Sequence, residues 1–175
     1  SNTVAKYWWH DFLELEELQS DECNTKRAFK AIENTLNRNL KKVAPYDHMV
    51  IQNAIYLYFS STEQLDFSEM LERNVKNYTP NDMTVEKKEE LLQKLQKLPE
   101  EQHFDQQFHP SLSVIKRKMK KTYDVYSGIQ IKVTSAVEDL GDVIEAYQAN
   151  DGKRYLKIRI DNDVTFRTFE RKAES

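Results

Sequence analysis

Apolar residues recur at steps of three and four over much of the chain, which is the spacing of amphipathic helices. The pattern predicts helices over residues 6–18, 25–43, 46–59, 65–75 and 84–98. A polar break, Asp21–Thr25, separates the first two helices, and Asn24 or Thr25 is the predicted N-cap of the second. Ser111 is the predicted N-cap of a last, short helix, whose inward residues are Leu112, Ile115 and Met119.

The period changes from that of a helix to two after Gly128, which is the alternation of a half-buried strand. The motif Asn150-Asp151-Gly152 predicts a hairpin turn between two further strands. Val164 and Phe166 predict an additional edge strand. The predicted strands before this edge strand cover residues 129–133, 143–147 and 155–160.

These elements predict an α+β fold, in which a mostly helical body is followed by a small C-terminal antiparallel β-meander. We expect the helical region to cover residues 1–125 and the meander to cover residues 126–170. The meander should pack on the helices, so that the chain forms one compact unit.

The composition narrows the class of protein. The chain has 175 residues, with 26 basic and 29 acidic side chains and a formal net charge of −3. The longest apolar stretch, Met49–Phe59, is interrupted by Gln52 and Asn53 and is too short to span a bilayer, so we expect no membrane association. Cys23, the single cysteine, excludes an internal disulfide framework and fits a reducing cytoplasm.

Side chains that could carry catalysis do not form a recognised pattern. No Gly-rich loop that could hold a phosphate is present, and four scattered histidines with one cysteine make no zinc motif. Adjacent acids such as Glu89 and Glu90 lie on predicted helices rich in lysine, where they are explained as solvated surface. We therefore predict a non-enzymatic protein with no catalytic residue, no metal site and no cofactor.

Two clusters of basic residues stand out in an acidic chain. Crowded cations repel each other unless anions neutralise them, and DNA phosphates are one such source of negative charge. The alternative is internal pairing with the acids of residues 1–24 or with Glu100, Glu101 and Asp105. The candidate DNA-binding residues are Lys116, Arg117, Lys118, Lys120 and Lys121 in one cluster and Lys26, Arg27, Lys30, Arg38, Lys41 and Lys42 in the other.

The C-terminal part of the sequence, from "HFDQQFHPSLSVIKRKMKK" through "SGIQIKVTSAVEDLGDVIEAYQANDGKRYLKIRI", resembles the C-terminal half of the bacterial nucleoid-associated protein family (NdpA-like). The shared features are paired phenylalanines, a short basic segment, a Gly-Ile-x-Ile strand and an Asp-Gly hairpin. The opening "KYWWHDFLELEELQSDECNTK" is similar to an aromatic helix of that family. The tail after Ile160 extends beyond the usual pattern.

The resemblance implies that the chain is the C-terminal part of a longer protein located in the cytoplasm, in the nucleoid. Its expected function is non-enzymatic binding of double-stranded DNA, with basic helices contacting phosphates and little sequence specificity. The alternative function is a protein-interaction or oligomerisation module without direct nucleic-acid binding. In that case a homodimer would form through an edge strand or through the acidic N-terminal helix.

Overall fold

The computed structural model of the chain describes residues 20–172, so the helix predicted over residues 6–18 lies outside the described residues. The chain divides into two compact units, with the boundary between Glu138 and Asp139. The expected boundary at residues 125 and 126 would cut through a hairpin that the structure keeps with the helices. The two units are described separately below.

The first unit combines helices with two small antiparallel pairs of strands. Its helices are α1 (Asp21–Asn39), α2 (Pro45–Ser61), α3 (Phe67–Leu71), which continues into a π-helical turn (Glu72–Lys76), α4 (Val85–Gln96) and α5 (Leu98–Glu101). Strand β1 (Leu65–Asp66) pairs with β2 (Gln107–Phe108), and β3 (Lys121–Tyr126) pairs with β4 (Ile129–Val133). The α+β class is confirmed.

Helix α1 begins earlier than the sequence predicts. Ser20 is its N-cap, because the Ser20 hydroxyl accepts a hydrogen bond from the Cys23 N–H at 3.1 Å. The predicted polar break at Asp21–Thr25 is therefore wrong. Asn24 and Thr25 are fully buried inside the helix, where they bond a segment that is distant in sequence.

The core of the first unit is built around aromatic contacts between α1 and α2. Phe29 stacks on Tyr56 with ring centroids 5.0 Å apart, and it meets Phe59 edge-on at 5.9 Å. Phe59 in turn contacts Phe108 of β2, and Phe67 of α3 contacts Phe104. The segment after α5 is thereby packed against the helices.

A buried carboxylate fixes the loop between the π-helical turn and α4. Asp47, in the first turn of α2, accepts hydrogen bonds from the Tyr78 hydroxyl and from the backbone N–H groups of Asn81, Asp82 and Met83, the last three at 2.7–2.8 Å. In return, the Asp82 carboxylate accepts the N–H of Tyr46 at 2.8 Å. The start of α2 and this loop therefore hold each other in place.

The second unit contains a hairpin between two short helices. Its elements are α6 (Leu140–Val143), β5 (Ile144–Gln148), β6 (Arg154–Ile158) and α7 (Asp163–Phe169). The predicted turn at Asn150-Asp151-Gly152 is correct, and Gly152 has a φ of +84°, which glycine adopts most readily. Across residues 20–172 the strands pair two by two, in separate antiparallel sheets.

The edge strand predicted at Val164 and Phe166 is wrong, because both residues belong to α7. Asn162 caps this helix by accepting the Thr165 N–H at 2.9 Å, a local interaction that favours helix over strand.

None of the helices between residues 20 and 172 has the length and apolar content that crossing a membrane requires.

Replacing Asp47 with Asn should destabilise the first unit. The introduced amide would direct N–H donors toward backbone N–H groups that now bond a carboxylate, so we expect a loss of roughly 2–3 kcal/mol in the free energy of unfolding. Urea denaturation would measure it. Glu89→Gln is the matched control, because Glu89 is exposed and should change the free energy little. Equal stability of Asp47→Asn and the native chain would contradict the role given to Asp47.

The contribution of Asp47 to the free energy of unfolding should also depend on pH. Burial alone would raise the pKa of this carboxyl, but the hydrogen bonds from Tyr78 and three N–H groups together lower it below its usual value of 3.8. Because the unfolded chain binds the proton more readily, the stabilisation is present above pH 3.8 and is lost as the pH falls through the lower folded value. The stability difference between the native chain and Asp47→Asn should therefore shrink in acid.

Candidate nucleic-acid interface

The cationic segment, residues 112–120, is not the helix that the sequence predicts. A single 3₁₀ turn, Leu112–Val114, is followed by irregular turns up to the start of β3. Like charges four residues apart, such as Lys116 and Lys120, disfavour a regular helix. Ile115 and Met119 nevertheless point inward as expected, with exposed fractions of 1% and 8%, whereas the inward position expected for Leu112 is wrong, since it is 38% exposed.

Four cations of this segment face solvent. Lys116, Arg117, Lys118 and Lys120 are exposed, and none of them forms a salt bridge with a carboxylate of residues 20–172. Their neighbours Ile115 and Met119 pack into the core, which directs the charged side chains outward. The segment therefore presents positive charge that described carboxylates leave unneutralised.

Lys121 differs from the other four cations. Its Nζ lies 3.6 Å from Glu33 Oε1 and 5.9 Å from the centre of the Tyr56 ring. The Tyr56 hydroxyl also donates a hydrogen bond to Glu33 Oε1 at 3.2 Å. Lys121 thus joins the start of β3 to α1 and α2, and a large part of its charge is balanced.

The second basic cluster belongs to α1 and the turn after it. Lys26 pairs with Glu22 at 2.9 Å, and Arg27 donates a hydrogen bond to the carbonyl of His103 at 2.8 Å. The remaining four cations are exposed and form no salt bridge within residues 20–172. They are Lys30, Arg38, Lys41 and Lys42.

His48 responds to the charge of one cation from each cluster. Burial, then the charge of Lys121 and then that of Lys41 lower the pKa of this imidazole, while Glu33 acts in the opposite direction. Its Nε2 lies 2.8 Å from Asn37 Oδ1 on α1. Lys121 at the base of β3 and Lys41 in the turn after α1 therefore both act on this imidazole.

Side chains of α1 determine where the cationic segment starts. The Thr25 hydroxyl accepts the N–H of Ser111 at 2.9 Å, and the Asp21 carboxylate accepts the N–H of His109 at 2.9 Å. Asn24 and Asp105 exchange two hydrogen bonds of 2.9–3.0 Å. The chain before the cationic segment is therefore fastened along the first two turns of α1.

The acids proposed as internal partners behave differently from one another. Asp105 bonds Asn24 rather than a cation, and Glu100 and Glu101 form no salt bridge within residues 20–172. Of the acids in residues 1–24, Glu22 does pair with a cation, Lys26, and those before residue 20 lie outside the described residues. Glu33 does pair with Lys121, but its position in the middle of the basic helix gives no sign of this partner in the sequence.

Residues 20–172 contain no group of three or more His, Cys, Asp or Glu side chains that could hold a metal ion.

Comparison with protein-family models, with curated proteins and with solved structures gave no match to this chain. The resemblance to nucleoid-associated proteins therefore stays a prediction drawn from the sequence.

The pKa of His48 can report how close Lys121 and Lys41 lie to this imidazole. Replacing Lys121 with Met removes a positive charge that lowers the pKa of His48, so that pKa should rise toward its usual value of 6.5. Lys41→Met should act in the same direction. An NMR titration of the imidazole protons would follow both variants.

Lys118→Met is the matched control for this titration, since Lys118 does not act on His48. Its His48 pKa should equal that of the native chain. A response to Lys121→Met without a response to Lys41→Met would show that the clusters are electrostatically separate.

Proposed function

We propose that this chain is a non-enzymatic, nucleoid-associated DNA-binding module that contacts duplex phosphates with little sequence specificity. The observation that carries the proposal is the exposed group Lys116, Arg117, Lys118 and Lys120, which has no ion pair within residues 20–172. Four further exposed cations are available to phosphates, with Lys30 and Arg38 on α1 and Lys41 and Lys42 in the turn after it. The nucleoid is proposed as the location because the sequence resembles the nucleoid-associated family.

The spacing of these charges suits a polyanion. Four cations within five residues lie within roughly 15 Å along the chain even if it is fully extended, a length that spans several phosphates of one DNA strand. Holding them so close costs electrostatic energy, which DNA phosphates would offset, and the bound lysines and arginine would release counterions condensed on the duplex. A small-molecule anion would satisfy only part of the group.

The fold supports this role because the cationic segment is fixed at both ends. Ser111 is bonded to Thr25 on one side, and Lys121 is paired with Glu33 on the other. A loop held in this way loses less conformational entropy on binding than a free one. Phosphate contacts of this type position a protein on DNA without reading the bases.

Duplex binding should weaken steeply with salt. If the four exposed cations of the cationic segment each neutralise one phosphate, the logarithm of the association constant should fall against that of the salt concentration with a slope of about −4, and if Lys30, Arg38, Lys41 and Lys42 also do so, with a slope of about −7. The double variant Lys118→Ala with Lys120→Ala should make the slope shallower by about 2 in either case. Fluorescence anisotropy of a labelled duplex at several salt concentrations would measure both.

The control for net charge is Lys153→Ala with Lys157→Ala. These two lysines pair with Asp151 and Glu145 at 3.6 Å, so the double variant removes the same charge from side chains that are already neutralised. It should keep the native slope. No binding of the native chain at low salt, or equal losses in both double variants, would reject the proposal.

Protein association is the second candidate function, and the second unit favours it. Large apolar side chains are exposed there, including Val164 at 75%, Phe169 at 74% and Tyr147 at 50%. Strands β5 and β6 form a two-stranded sheet, and neither pairs with a third strand within residues 20–172. These features suit an interface between proteins better than contact with phosphates.

Light scattering would separate the two candidates. Under the second, the chain should form dimers in the absence of DNA, and replacing Val164 and Phe169 with Ser should dissociate them. Under the first, the same variant should bind duplex DNA with the native salt dependence, because the cationic segment lies in the other unit.

A further inference from the structure

The β3–β4 hairpin continues directly from the cationic segment. Lys121 pairs with Val133 at its base, next to Glu33, and Tyr126 pairs with Ile129 at its tip. Gly128 in the turn has a φ of +79°, which glycine adopts most readily. The six-residue strand β3 covers roughly 17 Å from base to tip.

The tip of this hairpin is apolar and exposed. Exposed fractions are 76% for Tyr126, 54% for Ile129 and 43% for Val125. A register shift between Asp124 and Tyr126 sets Val125 outside the regular pairing. Three large apolar side chains at the end of a two-stranded ribbon are costly in water, so a partner that covers them would stabilise the arrangement.

The charge around the hairpin restricts what that partner can be. Residues 116–133 contain six basic side chains and a single acid, Asp124. The Asp124 carboxylate accepts a hydrogen bond from Gln130 Nε2 at 2.6 Å, and its single negative charge is outnumbered by the basic side chains around it. A second copy of the same surface would bring like charges together, so a negatively charged partner fits better.

We propose that the tip formed by Val125, Tyr126 and Ile129 inserts as an apolar wedge between base pairs of duplex DNA and kinks the duplex. This inference rests on the proposed function, since the cationic segment would hold the phosphates while the tip reaches the bases. Apolar side chains that enter the minor groove unstack base steps and bend DNA in this way. They form no hydrogen bonds to base edges, which agrees with low sequence specificity.

The dimensions favour DNA over a membrane surface. On an anionic bilayer, cations and apolar side chains share a layer of about 5–10 Å at the headgroups. Here the cations lie at the base of the hairpin and the apolar tip lies roughly 17 Å away. Along a duplex this separation corresponds to about five base pairs, so phosphates and an unstacked base step can be contacted together.

Energy transfer between dyes at the two ends of a duplex of about 20 base pairs tests the wedge, because a kink of roughly 20–90° shortens the distance between the ends. The native chain should raise the transfer. The double variant Tyr126→Ser with Ile129→Ser should lose this rise, bind about tenfold more weakly and keep the salt slope. Tyr126→Phe should bend DNA as the native chain does, because it keeps the apolar ring.

Val85→Ser is the matched control, since Val85 is an exposed valine (54%) at the start of α4, in an element separate from the hairpin. It should leave both affinity and bending unchanged. Unchanged bending in the Tyr126 and Ile129 double variant would overturn the wedge and leave phosphate binding intact. Failure of the native chain to bind the duplex at low salt would overturn the proposed function itself.

Two further outcomes would assign the tip to another partner and so overturn the wedge. The partner of the tip would be a lipid surface if the native chain binds vesicles containing phosphatidylserine and the double variant does not, while both proteins bend the duplex equally. Light scattering would identify self-association, if the native chain forms a dimer that the double variant lacks.

Discussion

The attachment of residues 103–121 to helix α1 is the interaction on which the candidate interface depends. Asp21, Asn24 and Thr25 accept backbone N–H groups that fasten the chain before the cationic segment, and the pair between Lys121 and Glu33 fastens the chain after it. The same helix carries four members of the second basic cluster, Lys26, Arg27, Lys30 and Arg38, and Lys41 and Lys42 follow in the turn after it. Helix α1 therefore positions much of both groups of cations, although they are far apart in sequence.

Local periodicity predicted the elements whose stability is local. Helix α4, strand β4 and the turn at Asn150-Asp151-Gly152 follow from apolar spacing and turn chemistry within a few residues. The start of helix α1 was predicted four residues too late, because Asn24 and Thr25 look like exposed polar residues although they are buried against distant partners. Their partners, Asp105 and Ser111, are 81 and 86 residues away, so no local pattern could show that these polar groups are buried.

The candidate site was only partly predictable for the same reason. Exposure of Lys116 and Lys118 follows from the inward positions of Ile115 and Met119, which the sequence indicates. The different role of Lys121 depends on Glu33 and Tyr56, which the fold alone brings next to it. A cluster that looks uniform in sequence thus separates into four solvent-facing cations and one that holds the hairpin to the helices.

The central claim is that the cations of the two clusters form one surface that a duplex neutralises. Lysine footprinting tests it most directly, by comparing modification with an amine-reactive reagent in the absence and presence of duplex DNA. The account predicts joint protection of Lys116, Lys118, Lys120, Lys30, Lys41 and Lys42, with Lys153 and Lys157 unchanged. Protection confined to Lys153 and Lys157, or no protection at any lysine under binding conditions, would contradict it.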